Sequence, residues 1–121
     1  MDRLQTRVNS SDASFKSNHE HNSTLLATLR ERLDGVQQGG GGKYVEKHRS
    51  RGKAMPRERI SAICDPGTPF LELSPLAAYD LYDGKAASAG MITGIGVVHG
   101  KECLFVANDA TVKGGSYYPI T

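Results

Sequence analysis

A dense group of cations lies in the middle of the chain, and anion binding is the chemistry that such a group could perform. Its members are Lys43, Lys47, Arg49, Arg51, Lys53, Arg57 and Arg59. Guanidinium and ammonium groups can neutralise the phosphates of a nucleic acid or hold those of a nucleotide-like ligand. They can equally form a solvated helix face with ion pairs to Glu46 and Glu58. Tyr44 is the one aromatic residue in this segment, so the stacking platform typical of nucleic-acid-binding proteins is missing.

Within this group, Arg51 and Lys53 are the residues that we single out for anion binding. Gly52 separates them, and a glycine is a frequent place for a helix to end. A fork-shaped guanidinium beside such a break can reach an anion that a lysine in mid-helix cannot.

A second candidate site lies at residues 109–115, after the last apolar run of the chain. Asp109 follows that run closely, and Lys113, Gly114 and Gly115 come next. Two consecutive glycines allow the backbone to approach a ligand, and ligands of α/β folds gather beyond the carboxyl ends of strands. A glycine-rich turn that Asp109 caps is the alternative interpretation of the same residues.

The chain offers no residue grouping typical of a nucleophile or a metal centre. It contains no Ser/His/Asp or Cys/His arrangement. His48, Cys64, His99 and Cys103 do not have the spacing of a zinc site. The two cysteines are predicted to be buried structural thiols. We therefore assign no catalytic residue and no metal ligand.

The N-terminal part is predicted to begin as flexible chain and to continue as a helix. Residues 1–21 are polar and have no apolar period, so we expect them to be flexible. Residues 22–38 carry apolar residues at three- and four-residue steps, which predicts an amphipathic helix. These residues are Leu26, Leu29, Leu33 and Val36. Such a stripe requires a partner surface, either on this protein or on another subunit.

The glycine tract 39–42 separates that helix from the basic segment. It lacks the Lys-Ser/Thr pair of a phosphate-binding loop, so it is predicted to be a flexible linker between the lead-in helices of residues 22–64. Residues 43–51 are predicted to form a basic helix, and Pro56 to begin the next one. The inward face of that next helix is expected to carry Ile60, Ile63 and Cys64.

Residues 65–121 predict turns and strands. Residues 65–67 (Asp-Pro-Gly) form a turn signal, and residues 70–73 alternate like a short edge strand. Residues 91–98 and 102–107 are predicted to be paired strands joined at His99-Gly100. Helices followed by a small sheet indicate the α/β class.

Composition adds an expectation about the compartment. The net charge is +2 and hydrophobic residues make up 38% of the chain. The N-terminal region has no secretory or membrane-spanning stretch, and Asp2, Asp12 and Glu20 interrupt a region that would be poor in acids in a mitochondrial presequence. We expect a bacterial cytoplasmic protein, with the mitochondrial matrix as the less favoured alternative.

Four stretches resemble the carboxyltransferase domain of biotin-dependent acyl-CoA carboxylases. They are residues 51–60 (RGKAMPRERI), 65–73 (DPGTPFLEL), 92–96 (ITGIG) and 107–119 (ANDATVKGGSYYP). The last stretch is most similar to the β subunits that act on methylcrotonyl-CoA or geranyl-CoA. The resemblance covers about residues 37–121.

The resemblance implies both a fold and an activity. The fold would be crotonase-like, a spiral of ββα units, and residues 65–121 would be the incomplete start of that domain. The family moves a carboxyl group from carboxybiotin, carried on a partner α subunit, to an acyl-CoA such as 3-methylcrotonyl-CoA in leucine breakdown. ATP and bicarbonate are consumed at the partner's active site. β–β contacts are also expected, whereas a nucleic acid or a membrane partner is not.

By the same resemblance, residues near the acyl-CoA would be Asp109, Lys113, Gly114, Gly115, Arg51 and Lys53. The chain is interpreted as an N-terminal fragment without a catalytic residue, and it is expected to be inactive by itself. A geranyl-CoA or other acyl-CoA carboxylase β subunit is the nearest alternative. The alternative from another class is a basic helical module that binds a partner or assembles subunits through the helix at residues 22–38.

Overall fold

The computed structural model describes residues 5–121. In chain order the elements are α1 (Ala13–Gln37), α2 (Gly42–Arg49), α3 (Pro56–Ile63), β1 (Leu71–Leu73), β2 (Met91–Val98) and β3 (Lys101–Asn108), with short 3₁₀ turns at Ala87–Gly90 and Lys113–Gly115. The chain forms two compact units, Met1–Arg32 and Leu33–Thr121, and α1 runs through the boundary between them.

The first unit differs from the flexible segment predicted for residues 1–21. The helix begins at Ala13, so only the residues before it fit that prediction, and residues 1–4 lie outside the described part of the chain. Asp12 caps the helix, since its Oδ2 accepts hydrogen bonds from the Ser14 N–H at 3.2 Å and from the Ser14 hydroxyl. The hydrogen bond from the Ser14 side chain is the main reason why the pKa of Asp12 is lowered. The first part of α1, residues 13–21, is polar and exposed and therefore has no apolar period, and its cap was the signal that the sequence did contain.

The second unit contains the helices predicted for residues 43–51 and from Pro56 onward. Pro56 is the first residue of α3, where its missing N–H costs no hydrogen bond. Glu58 stabilises the same end, because its Oε2 accepts the Met55 N–H at 2.8 Å. Ile60 is buried as expected, but Ile63 is 55% exposed. The expectation for Ile63 was wrong. This residue is the last of the short helix α3 and lies beyond the part of α3 that packs against the sheet.

The sheet is antiparallel, with the strand order β1-β2-β3. The predicted hairpin is confirmed, and its turn lies at His99 and Gly100, which both have positive φ. The Asp65 carboxylate accepts the His99 N–H at 2.8 Å and the Gly100 N–H at 2.7 Å. The two hydrogen bonds lower the pKa of Asp65, and the bond from Gly100 has the larger effect.

One face of the sheet is packed closely because β2 carries glycines there. A Cβ on Gly94 would lie 2.3 Å from the Phe70 ring, and one on Gly96 would lie 2.7 Å from the Cys64 sulfur. The rings of Phe70 and Phe105 meet edge to face with centroids 5.8 Å apart. The ITGIG stretch therefore provides room for aromatic side chains directly against the strand.

The opposite face is open and apolar. Its exposed side chains are Leu71, Leu73, Ile95, Leu104 and Val106. The register brings Leu71, Ile95 and Leu104 into one row across the three strands. The edge strand predicted for residues 70–73 is therefore present, with its leucines on the open face and Glu72 on the packed one.

Candidate functional site

A basic cavity of about 270 Å³ lies in the second unit, between α2 and the loop that follows β3. Its lining consists of Tyr44, Lys47, His48, Arg51, Lys53, Ala110 and Gly114. The lining holds three permanent cations and a histidine, and it contains no carboxylate. Such a cavity favours an anion, and arginine and lysine beside backbone groups suit the oxygens of a phosphate.

Helix α2 positions one wall of the cavity. Tyr44, Lys47, His48 and Arg51 are spaced at three- and four-residue steps, so they follow one face of the helix and of the turn that ends it. His48 Nε2 donates to the Ala54 carbonyl at 3.2 Å, which brings the chain around Gly52 back towards the helix. The cations also lie at the carboxyl end of α2, where the helix dipole favours positive charge.

Two other arginines of the basic group are neutralised elsewhere. Arg49 pairs with Glu58 at 2.5 Å on the protein surface. Arg57 makes a two-pronged contact with Glu72, at 3.0 and 2.6 Å, and it also donates to the Ser88 hydroxyl at 3.1 Å. Within residues 5–121 no ion pair is recorded for Lys47, Arg51 or Lys53. Lys43 and Arg59 likewise have no ion pair within these residues, but they do not line the cavity. Lys47, Arg51 and Lys53 are therefore the cations placed to attract an outside anion into it.

The other wall of the cavity comes from residues 109–115, and the first four of these residues are buried apart from Ala110, which is exposed. Asp109 and Thr111 are each 2% exposed, and Val112 is 1% exposed. Asp109 Oδ1 accepts the Thr111 N–H at 2.9 Å and the Thr111 hydroxyl at 2.6 Å. The Asp109 carboxylate closes the loop internally and does not line the cavity, as the alternative interpretation of a capped turn predicted.

The glycine tract at residues 39–42 packs against this buried half of the loop. The Gly40 N–H donates to Thr111 Oγ1 at 2.9 Å. A Cβ on Gly40 would lie 1.9 Å from the Thr111 carbonyl oxygen, and one on Gly39 would lie 2.7 Å from Thr111 Oγ1. The tract does connect α1 to α2, but it is not the flexible linker that its composition predicted. Gly40 is needed because the backbone of Thr111 passes directly over it, and Gly39 is needed because the side chains of Asp109 and Thr111 do.

The second half of the loop is at the surface. Lys113 is turned away from the cavity, since its Nζ donates to the Tyr117 carbonyl at 2.7 Å and lies 4.4 Å from the centre of the Tyr118 ring. Gly114 lines the cavity and has a φ of 67°, and Gly115 has a φ of 84°. These positive φ values suit glycine and turn the chain back towards Ala110.

The structure thus brings together three of the six predicted site residues, namely Arg51, Lys53 and Gly114. Asp109, Lys113 and Gly115 do not line the cavity. Sequence reasoning missed Tyr44, His48 and Ala110 as lining residues and counted Lys47 only as a member of the basic group. The helical spacing of residues 44, 47, 48 and 51 was the signal that could have identified them.

Residues 5–121 contain neither a metal-binding cluster nor a membrane-spanning helix. No cluster of three or more His, Cys, Asp or Glu side chains there could hold a metal ion. No helix in the same residues has the length and hydropathy needed to cross a membrane.

Comparison with known proteins decides the family. A family model described as "Carboxyl transferase domain" matches residues 47–121, which is more than half of the chain. The chain belongs to the carboxyl transferase domain family. The matched segment includes the end of α2, the whole sheet and the loop of residues 109–115, and therefore most of both walls of the cavity. The resemblance drawn from the sequence stretches is confirmed.

Two curated relatives match most of this chain at about half identity. The chain is 51% identical over 119 residues to a protein of Drosophila melanogaster named "Probable methylcrotonoyl-CoA carboxylase beta chain, mitochondrial", covering 98% of this chain and 21% of that protein. It is 51% identical over 108 residues to the "Biotin-dependent 3-methylcrotonyl-coenzyme A carboxylase beta1 subunit" of Mycobacterium tuberculosis, covering 89% and 20%. The chain therefore spans about a fifth of the length of these relatives.

A solved structure shows the same fold. The β subunit of geranyl-CoA carboxylase from P. aeruginosa superposes with a TM-score of 0.79 at 36% identity, covering 94% of this chain and 21% of that one. The predicted fold class is confirmed, since the helices and the small sheet correspond to part of a crotonase-like carboxyltransferase subunit.

Proposed function

We propose that this chain works as part of the β subunit of a methylcrotonyl-CoA carboxylase. The enzyme would transfer a carboxyl group from biotin to 3-methylcrotonyl-CoA in leucine breakdown, forming a C–C bond. The proposal is supported by the 51% identity to two relatives that bear this name, one of them described as biotin-dependent. The identity to the geranyl-CoA carboxylase β subunit is lower, at 36%.

We also propose that the basic cavity receives phosphate groups of the acyl-CoA. This is the observation within the chain that carries the functional proposal, because Lys47, Arg51 and Lys53 line the cavity and no carboxylate opposes them. A volume of about 270 Å³ suits phosphates and a part of the nucleotide, with the rest of the ligand outside. Gly114 presents backbone rather than a side chain to the same space, and the ring of Tyr44 adds a surface on which a base can stack.

In this proposal the chain binds and orients substrate and does not carry out the chemistry. Binding energy from the remote nucleotide end holds the thioester in place at the reacting centre. Biotin, when carried by the partner α subunit, supplies the carboxyl group, and ATP and bicarbonate are used on that subunit. We assign no catalytic residue to this chain, which we expect to be inactive by itself.

The expected partners are the biotin-carrying α subunit and further copies of the β subunit. The open apolar face of the sheet supports the expectation of a partner, since apolar side chains are costly to leave in water and a second surface would cover them. The relatives include one protein named mitochondrial and one mycobacterial protein, so the bacterial cytoplasm remains our expected compartment with the mitochondrial matrix as its alternative.

The test is a substrate titration of the full-length β subunit assembled with its α subunit. The double variant Arg51→Gln/Lys53→Gln should raise the KM for 3-methylcrotonyl-CoA by about tenfold or more, because each lost charge-assisted contact is worth about 1.5–3 kcal/mol. kcat should change much less. Arg59→Gln is the matched control, since Arg59 is an exposed cation of the same group that does not line the cavity.

An unchanged KM in the double variant would refute the cavity assignment, whatever the enzyme's substrate is. The substrate itself is tested separately, by comparing kcat/KM for 3-methylcrotonyl-CoA and geranyl-CoA in the unmodified enzyme. A preference for geranyl-CoA would favour the alternative that the 36% identical structure suggests. Binding to an oligonucleotide that weakens steeply with salt would instead favour the basic-module alternative.

A further inference from the structure

The glycine tract is connected to both walls of the basic cavity. On one side it continues directly into α2, whose face carries Tyr44, Lys47 and His48. On the other side Gly40 lies against Thr111, one residue after Ala110, which lines the opposite wall. The separation of the two walls is therefore set where the tract and the loop touch.

This contact leaves no space for a side chain. A Cβ on Gly40 would lie 1.9 Å from the Thr111 carbonyl oxygen, 2.4 Å from its carbonyl carbon and 2.9 Å from the Val112 nitrogen. All three are backbone atoms, so a rotamer change cannot relieve the overlap. Any side chain at this position must push the two backbones apart by more than 1 Å to reach ordinary contact distance.

A series of hydrogen bonds links the contact between Gly40 and Thr111 to the rest of the loop. The Gly40 N–H donates to the Thr111 hydroxyl oxygen at 2.9 Å, and that hydroxyl donates to Asp109 Oδ1 at 2.6 Å. The Val112 N–H donates to the Asp109 carbonyl at 3.0 Å, and the Gly115 N–H donates to the Val112 carbonyl at 2.8 Å. Gly114 lies within the turn that the last of these bonds closes. A displacement at Thr111 would therefore move both loop residues that line the cavity.

We propose that Gly40 and Thr111 are positioning residues that set the width of the basic cavity. Gly40 does this through its bare backbone, and Thr111 does it through its hydroxyl, which joins the tract to the buried carboxylate of Asp109. The inference rests on the proposed function, in that the cavity is taken to receive phosphates of an acyl-CoA. Neither residue touches the substrate.

The experiment compares two glycine-to-alanine variants of the full-length β subunit assembled with its α subunit. Gly40→Ala is the test. Gly42→Ala is the matched control, because a Cβ at Gly42 meets nothing within 4 Å and its φ is not positive. Each variant is assayed with 3-methylcrotonyl-CoA and with the 3-methylcrotonyl thioester of pantetheine, which lacks the nucleotide and its phosphates.

Gly40→Ala should raise the KM for the CoA thioester about tenfold and change kcat less than about twofold, because a misplaced binding wall weakens ground-state and transition-state binding alike. Its kcat/KM for the pantetheine thioester should stay at the unmodified level. Gly42→Ala should leave both substrates unaffected. Equal losses with both thioesters in Gly40→Ala would overturn the inference, since they would indicate general disruption of the fold.

Thr111→Val and Thr111→Ser provide a second test that adds no bulk to the contact. Valine keeps the shape but removes the hydroxyl, so the KM for the CoA thioester should rise about three- to tenfold, the value of one hydrogen bond. Serine retains the hydroxyl and should restore the unmodified KM. If Gly40→Ala does not fold, this pair decides the question, and identical KM values for valine and serine would overturn the inference.

The two proposals fail in different ways. If Arg51→Gln/Lys53→Gln raises the KM while Gly40→Ala and Thr111→Val do not, the cavity assignment holds and the positioning role is wrong. If Arg51→Gln/Lys53→Gln has no effect on the KM, the cavity does not bind the phosphates, and both proposals fall together.

Discussion

The two halves of the loop after β3 differ although they are adjacent in sequence. Asp109, Thr111 and Val112 are almost completely buried, whereas Lys113 and Gly114 are exposed and Gly115 is partly so. The buried half forms hydrogen bonds with itself and with the glycine tract. The exposed half turns the chain and presents Gly114 to the basic cavity. Ala110 is the exception in the first half, since it is exposed and also lines the cavity. One short motif therefore combines buried residues that support the loop with exposed residues that are available to a ligand.

This difference explains why a family motif is a poor guide to the role of each of its residues. Residues 107–119 resembled one stretch of the carboxyltransferase family as a whole, and Asp109 and Lys113 were assigned to the acyl-CoA together with the glycines. In the structure each of the two charged side chains is satisfied within the protein, Asp109 by Thr111 and Lys113 by Tyr117 and Tyr118. The cations that face the cavity come from the other wall.

The largest effect is expected in the buried half. Asp109→Ala leaves both the Thr111 N–H and the Thr111 hydroxyl without their buried acceptor, which should cost about 3 kcal/mol of local stability. Hydrogen exchange in the full-length subunit measures this, as lost protection of the Gly40 amide, whose acceptor is Thr111.

Asp109→Asn is the control for that variant. Both hydrogen bonds go to the same oxygen, Oδ1, and the amide oxygen of asparagine has two lone pairs that can still accept them, so the loss of protection should be clearly smaller than in Asp109→Ala. If both variants protected Gly40 as well as the unmodified protein does, the buried half would not support the glycine tract, and the distinction between the halves would not hold.

A smaller effect is expected in the exposed half. Lys113→Met removes the cation from the Tyr118 ring and the donor from the Tyr117 carbonyl, which then bonds to water. The cost should be about 0.5 kcal/mol, the usual value of an exposed cation–π contact. Hydrogen exchange over residues 113–118 measures it, and Lys113→Arg should retain most of the stability. A loss as large as that in Asp109→Ala would show that both halves are structural.

The smallest effect is expected from lowering the pH. It concerns Asp65, a carboxylate that is more accessible than Asp109 and contacts the turn at the other end of β3. Asp65 accepts the Gly100 and His99 N–H groups, which lowers its pKa in the folded protein. The two bonds therefore contribute stability at pH values above the unfolded-state pKa, and this contribution is lost as the pH falls through the lower folded-state pKa. Protection of the Gly100 amide should accordingly decline below about pH 4, near the ordinary pKa of an aspartate.

Asp65→Asn should abolish most of that acid dependence and leave the protection of Gly40 unchanged. The measurement is hydrogen exchange between pH 3 and 7, corrected for the intrinsic exchange rate at each pH. An acid-induced loss at Gly100 that persists in Asp65→Asn would assign the effect to another group.

Local signals were sufficient to predict most of the second unit. Pro56 marked the start of α3, and His99-Gly100 marked the turn between β2 and β3, because both depend on the φ preferences of single residues. The same kind of signal existed at Asp12, but residues 13–21 of the helix after it have no apolar period to indicate their helical structure. Ile63 was placed on the wrong side, since a short helix has too few residues to show which face is covered.

The sequence by itself determined the family, the positions of the strands and the concentration of cations near α2. These follow from residue types, short-range spacing and motifs that can be read along the chain. Only the tertiary structure decided which cations face a common cavity, that Asp109 is buried and that Gly40 touches Thr111. Gly40 and Thr111 lie 71 positions apart in the chain. Contacts over such a separation depend on how β3 returns the chain to α2, which no local pattern encodes.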